Sequence, residues 1–211
     1  MIIAVDGPAA AGKGTLARAL ATHFGYHFLD TGSLYRMAAR VLIDSGIDPS
    51  DSGAAIAAAE ALDPARYGGD DLRTEEVADV ASVISVNPGV RAALLAFQRD
   101  FARQPPGAVL DGRDIGTVVC PGAEVKIYVT AAPEVRARRR AQELEELGKP
   151  QAFDSVLADI RARDARDRTR ATAPLVPAAD AHILDTSALS ISEAITAAVT
   201  LAGRDRKARS A

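Results

Sequence analysis

The sequence predicts a three-layer α/β fold, with a central parallel sheet covered by helices, on three observations. Short apolar runs of strand character alternate with amphipathic helical segments, a pattern that places parallel strands between crossover helices. A glycine-rich loop carrying a lysine, Gly7-Pro-Ala-Ala-Ala-Gly-Lys-Gly-Thr15, joins the first such run to the first helix. The chain has 211 residues with 48% hydrophobic side chains, enough for one compact domain with a substantial core and inserted helical regions.

The elements follow in order. Ile2–Val5 is the first strand, and Lys13–Phe24 the first helix. Tyr26–Leu29 is a short second strand that ends at Asp30-Thr31-Gly32, and a helix follows from Ser33 to Ser45. Ala54–Leu62 is alanine-rich and helical. Pro64–Asp71 is loop, marked by Gly68-Gly69. Thr74 caps the next helix, where Val77, Val80, Ala81 and Ile84 recur at helical spacing. Asn87-Pro88-Gly89 interrupts it, and another helix from Val90 to Arg103 is closed by Pro105-Pro106. Ala108–Asp111 and Glu124–Val129 are buried strands. Two charged helices, Pro133–Leu147 and Phe153–Asp167, are separated by Gly148-Lys149-Pro150. His182–Asp185 is the last strand. Ser190 and Glu193 form a capping box that opens a last helix to Ala202, leaving a polar, frayed tail at Arg204–Ala211. No internal repeat is present.

Composition narrows the function classes. With 25 basic and 28 acidic residues the net charge is −3, so the chain lacks the global basic field of a nucleic-acid binder. Arginines nonetheless crowd between Arg136 and Arg170. The single cysteine, Cys120, allows no intramolecular disulfide. No apolar run approaches the ~20 residues of a membrane span, and the N-terminus has no signal-peptide pattern. The expectation is a soluble, cytoplasmic, monomeric protein with neither nucleic-acid nor membrane partners. His23, His27 and His182 need no catalytic role.

The loop carries the first chemistry. Gly7 and Gly12 let the backbone turn tightly and bring its N–H groups to an anion. The helix that follows adds a partial positive charge, and Lys13 can reach the β- and γ-phosphates of a nucleotide. The pattern G-x-x-x-x-G-K is complete through Lys13. Gly14 then stands where Ser or Thr usually follows, and the hydroxyl of Thr15 comes one residue late. Ligands of parallel sheets bind beyond the C-terminal strand ends. The Gly7 loop, Asp30-Thr31-Gly32 and Asp111-Gly112-Arg113-Asp114 all fall at such ends, which argues for one shared site.

Asp111 ends an apolar strand and is suited to orient Mg²⁺, directly or through water; the alternative is a turn or helix cap. Arg113 reads as an anion clamp and Asp114 as an acceptor for a donor on the substrate, or both as partners of neighbouring charges. With a helix starting at Ser33, Arg36 falls in the first turn, where the dipole favours acid, so an anionic ligand is implied unless Arg36 is a surface residue. In Arg161–Arg170, Arg163 and Asp167 are four apart and can touch. That segment is either a solvated helix laced with ion pairs or an arginine-rich element that closes over phosphates and excludes water.

Taken together, Gly-Pro-x-x-x-Gly-Lys-Gly-Thr, Asp-Thr-Gly-x-x-Tyr-Arg, Arg-Thr-x-x-Val, Asp-Gly-Arg-Asp-x-Gly-Thr-Val-Val, Arg-Asp-x-Arg-Asp-x-x-Arg and Ala173-Pro-Leu-Val-Pro-Ala-Ala-Asp180 occur in that order. The chain resembles the bacterial cytidylate kinases of the nucleoside monophosphate kinase group over nearly its whole length. The resemblance implies a P-loop NTPase fold, with a CORE at residues 1–30, 105–132 and 172–203. It implies an NMP-binding region at 31–104, a LID at 133–171 and a tail at 204–211. It implies phosphoryl transfer from ATP to CMP or dCMP with Mg²⁺, in line and without a general base.

By the same resemblance ATP is held by Gly7, Pro8, Ala9, Ala10, Ala11, Gly12, Lys13, Gly14 and Thr15, and approached by Arg139, stacking on the adenine. Thr31, Arg36, Arg113 and Arg170 meet the CMP phosphate. Arg91 and Asp114, helped by Ser82, read cytosine, and Arg163 and Asp167 meet the sugar hydroxyls. Lys13, Arg113, Arg163 and Arg170 form the catalytic set, and Thr15 and Asp111 serve the metal. One departure stands out: Ala61–Leu72 is too short for the small β-rich insert that relatives often carry in the NMP region, although Arg73-Thr74 remains. Other readings are a kinase for UMP or for a non-nucleotide alcohol, the Arg91 and Asp114 pair arguing against the alcohol, and a nucleotide-dependent switch or nucleic-acid-binding protein using Arg161–Arg170. No Asn-Lys-x-Asp-type guanine reader is visible.

Overall fold

The computed structural model describes residues 1–64, 67 and 70–210, without the side chains of 70, 73 and 206–210. In chain order the elements are β1 (Ile2–Asp6), α1 (Lys13–Phe24), β2 (His27–Asp30), α2 (Thr31–Asp44), α3 (Ser52–Glu60) and α4 (Glu75–Ile84). They continue with α5 (Pro88–Ala102), β3 (Ala108–Gly112), β4 (Val125–Thr130), α6 (Pro133–Glu146), α7 (Phe153–Thr169), β5 (His182–Asp185) and α8 (Ile191–Ser210). A 3₁₀ turn lies at Asp70–Arg73 and a π-helical turn at Ile115–Val119. The Gly68-Gly69 pair falls outside the described residues, as does Ala211.

The chain forms two compact units, Met1–Leu29 with Ala102–Ala211, and Asp30–Phe101. The first is built on a five-stranded parallel sheet in the order β2-β3-β1-β4-β5. The central strand β1 pairs with β3 from Ile2↔Ala108 to Asp6↔Gly112, and with β4 from Ile3↔Val125 to Asp6↔Tyr128. β3 is buried at every position and β4 at all but its last, which is why both read as continuous apolar runs rather than alternating ones. Ile3, Val5, Val109, Ile127 and Val129 of the sheet pack with Leu16, Leu20, Ala198 and Ala202 of α1 and α8.

The second unit is helical. Leu34, Ala38 and Leu42 of α2 pack with Ala55 and Ala59 of α3, Val77 and Ile84 of α4, and Val90 and Leu94 of α5. The alanines let the helices approach closely: Ala38 and Ala39 are fully buried.

Several boundaries differ from the sequence reading. α2 begins at Thr31 rather than Ser33. Asn87 Oδ1 accepts from the N–H groups of Gly89 (2.8 Å) and Val90 (3.4 Å), so Asn87-Pro88 starts α5 as cap and first residue. The expected frayed tail is corrected: α8 runs to Ser210. The helix, expected to end at Ala202, continues through Gly203, and His182 Nε2 meets Asp205 Oδ2 at 2.9 Å beyond it. Among the described residues no single helix is long and apolar enough to cross a membrane.

Candidate active site

The loop between β1 and α1 is fixed by sterics. Gly7 has φ +149°, and a Cβ there would lie 2.0 Å from the carbonyl oxygen of Val129. Ala10 (φ 57°) and Gly12 (φ 86°) are also left-handed. For Ala10 that conformation costs ~1 kcal/mol. Turns of this kind line up successive N–H groups as an anion-binding concavity. Gly12 caps α1 without a side chain, and the first turn of α1 holds no acidic residue. The positive end of the helix is therefore left to a ligand.

Lys13 is buried and donates to Pro8 O at 2.9 Å, with Nζ 3.9 Å from Asp111 Oδ1. The opposite carboxylate oxygen, Asp111 Oδ2, is 3.3 Å from where a Cβ of residue 14 would stand. Gly14 thus makes room for Asp111, which accounts for its departure from the usual Ser or Thr. Thr15 is exposed at the start of α1. Among the described residues no three His, Cys, Asp or Glu side chains converge as a metal cage. One carboxylate and one hydroxyl, both hard oxygen donors, fit Mg²⁺, which keeps most of its water and phosphate ligands.

Asp6, which the sequence reading passed over, is the buried carboxylate at the end of β1. It accepts N–H bonds from Ile115 and Gly116, each at 2.7 Å. Burial pushes its pKa up to about 6 against the pull of those two bonds, and the charges of Asp114 and Asp111 add to the rise. Its only signal in sequence was a charge closing an otherwise apolar strand.

The strand-end arginine and the charged helix α7 meet through carboxylates. Arg113 Nε donates to Asp167 Oδ2 at 2.9 Å. Burial acts to raise the Asp167 carboxyl, but Arg113, by charge and hydrogen bond, with Arg170 and Arg163, holds it below the usual carboxylate range. Asp167, four residues from Arg163, thus accepts from Arg113, and the charge of Arg163 also acts on it. Arg170 Nη2 lies 3.6 Å from Asp114 Oδ1, and its Nε donates to Ala173 O at 2.5 Å.

A second missed residue is Arg136, fully buried. It grips Asp164 of α7 with two bonds, 2.9 and 2.6 Å, and donates to Ala131 O (2.9 Å) and to Ala9 O of the phosphate loop (3.2 Å). Arg139, three residues on, donates to Thr186 Oγ1 (3.0 Å) and Thr186 O (2.7 Å), and Thr186 Oγ1 is 3.4 Å from Ala11 O. Arg136 was legible only as one arginine among many.

The remaining candidates belong to the helical unit. Thr31 is buried at the start of α2. Arg36 is not in the first turn, and its Nη2 donates to Asp30 Oδ2 at 2.5 Å. The local electrostatic cost expected there is therefore relieved by a carboxylate. Gly32 leaves space for this pair, since a Cβ would be 3.1 Å from Asp30 Oδ1. Arg91 Nη1 donates to Ser85 O (3.3 Å), and its guanidinium carbon lies 5.7 Å from the Tyr35 ring centroid. Ser82 is buried, and its carbonyl accepts from Ser85 Oγ at 2.9 Å.

The family model for cytidylate kinase matches residues 3–204. This chain belongs to the cytidylate kinase family. A cytidylate kinase of Rhodospirillum rubrum is 58% identical over 205 residues, 95% of this chain and 96% of that one. One from Afipia carboxidovorans is 54% identical over 211 residues, covering 99% and 100%. Among solved structures, an uncharacterized protein from Eubacterium ventriosum aligns with a TM-score of 0.55 at 13% identity, covering 98% of both chains. A gluconokinase from Sinorhizobium meliloti aligns with a TM-score of 0.52 at 16% identity, covering 99% of this chain and 95% of that one. At such identities the structures share the P-loop kinase fold alone, whereas the sequence relatives carry the family.

Proposed function

We propose that the protein transfers the γ-phosphoryl group of ATP to CMP or dCMP, giving ADP and CDP or dCDP. The observation that carries this reading is the phosphate loop with Lys13 beside Asp111, on the same unit as Arg113, Asp114, Asp167 and Arg170. In this reading residues 7–15 hold the triphosphate and Arg139 approaches the adenine. Thr31, Arg36, Arg113 and Arg170 bind the acceptor phosphate. Arg163 and Asp167 meet the sugar, and Arg91, Asp114 and Ser82 read the base. Mg²⁺, when bound through Thr15 and Asp111 or their waters, supplies charge neutralisation on the phosphates.

The acceptor phosphate is already ionised near neutral pH, so no residue needs to remove a proton. The work left to the protein is alignment and charge stabilisation. Lys13 neutralises the triphosphate. Arg113 exchanges its carboxylate partner Asp167 for the acceptor phosphate, and Arg163 and Arg170, from the LID, close the site to water. Asp114 accepts from the exocyclic amino group of cytosine and repels the carbonyl that uracil presents there. A cytoplasmic monomer goes with this reading.

A coupled assay with Mg²⁺–ATP and CMP, dCMP, UMP or AMP tests it. Turnover of CMP and dCMP above UMP and AMP is expected; the absence of CDP would overturn the proposal.

A further inference from the structure

We propose that Asp6 is a positioning residue for acceptor recognition, holding the Arg113-Asp114 pair in register with the phosphate loop. Asp6 is the last residue of the central strand, and Gly7, its neighbour in the chain, opens the loop. Its two carboxylate oxygens accept from Ile115 and Gly116 at 2.7 Å each, across 109 and 110 residues. Ile115 directly follows Asp114. The same side chain therefore adjoins the donor loop through the backbone and fixes the acceptor turn through hydrogen bonds.

The chemistry calls for a carboxylate. The π-helical turn spends its later N–H groups internally, with Val119 N on Asp114 O (3.1 Å) and Cys120 N on Ile115 O (2.7 Å). Its first N–H groups need acceptors from outside the turn. A carboxylate offers acceptors on both oxygens and no donor, whereas an asparagine would set its NH₂ against one of the two N–H groups. Gly116 permits the approach, because a Cβ there would be 3.3 Å from Asp6 Oδ2 and 3.1 Å from Lys126 Cδ. Burying an acid here is costly, and no group in the proposed transfer uses it chemically. Its return is geometric.

The inference rests on the reading of Asp114 as the base reader. Steady-state kcat/KM for CMP and UMP, KM for ATP and melting temperature are measured for the wild type, Asp6→Asn and Gly116→Ala. In Asp6→Asn the CMP-over-UMP preference falls on the order of 10-fold, while KM for ATP moves less than about threefold. Gly116→Ala, which keeps the carboxylate but pushes against it, shifts preference the same way by a smaller factor. A folded Asp6→Asn with wild-type preference would overturn the proposal alone, as would equal losses toward CMP, UMP and ATP. Should Asp6→Asn fail to fold, an unchanged preference in folded Gly116→Ala overturns it, and a shifted one supports it. A wild type indifferent to the base would overturn the reading of Asp114 and the proposal with it.

Discussion

In the sheet unit several buried charged side chains are tied to partners far away in the chain, whereas in the helical unit Arg36, Arg40 and Arg91 find hydrogen-bond partners a few residues away. Asp6 reaches Ile115 and Gly116 across 109 and 110 residues, Arg113 reaches Asp167 across 54 and Arg136 reaches Asp164 across 28. In the helical unit Arg36 and Arg91 find Asp30 and Ser85 six residues away, and Arg40 finds Asp44 at four. Two of these pairs also differ in exposure: the side chains of Arg136–Asp164 are 2% and 9% exposed, those of Arg36–Asp30 28% and 29%. Long-range, buried pairs exist only when the whole unit is folded, so their geometry is preorganised. Local, half-exposed pairs form with each helix and can exchange partners at small cost.

The largest expected effect breaks the rigid unit at its tightest point. Gly7→Ala puts a methyl 2.0 Å from Val129 O. Turnover should be lost and the melting temperature should drop, read by coupled assay and thermal melt; a near-native melt with activity would show that the loop yields. Next, Asp164→Ala strands the buried Arg136 guanidinium and should cost about 3–5 kcal/mol in chemical denaturation. A loss no larger than that of Asp44→Ala on the surface would erase the distinction between the units. Lys13→Ala removes charge without touching the core, so turnover should fall on the order of 10²–10³-fold with the fold retained; near-normal turnover would reject its role.

Acidity sharpens the contrast further. The Asp6 pKa rises from 3.8 to about 6 in the folded protein, so between those values the native state holds more protons than the unfolded chain. The stability associated with its neutral form is full below the lower value and is lost as pH rises through the upper one. The loss is about 3 kcal/mol at 1.36 kcal/mol per unit. Denaturation curves of wild type and Asp6→Asn between about pH 4 and 7 should differ in slope by that contribution; parallel curves would deny it. The smallest effect belongs to the helical unit: Tyr35→Leu removes the ring beside Arg91 and should cost ~0.5–1 kcal/mol, measured by the same denaturation.

What the sequence made legible was local. The phosphate loop needs only its own glycines, its lysine and the strand and helix that flank it. The Thr74 cap and the Ser190–Glu193 box are likewise short-range, and both form: Thr74 Oγ1 accepts from Val77 N at 3.3 Å, and Glu193 Oε2 accepts from Ser190 N at 2.8 Å. The residues proposed for the site were named from motifs. Their partners were not, because pairing depends on which element packs on which. Asp167 was matched to the arginine one helical turn away, whereas its bond to Arg113, 54 residues off, depends on tertiary packing that no local spacing announces. Asp6 and Arg136 carried no local signal, since an acid at a strand end and an arginine in a basic helix are each ordinary until their burial is known. The end of α8 was misplaced too: a glycine inside a helix costs only ~1 kcal/mol, so Gly203 does not interrupt it.

The π-helical turn at Ile115–Val119 spends one more residue per turn than an α-helix would over the same stretch. What it encodes is therefore a count as much as a composition. Substitutions at the buried Ile115 and Val119 act through packing, but deleting one residue would close the ladder to α-type bonding and swing everything beyond it by about 100°. Insertions and deletions, which surface loops absorb freely, should be more damaging in these five residues than conservative substitutions.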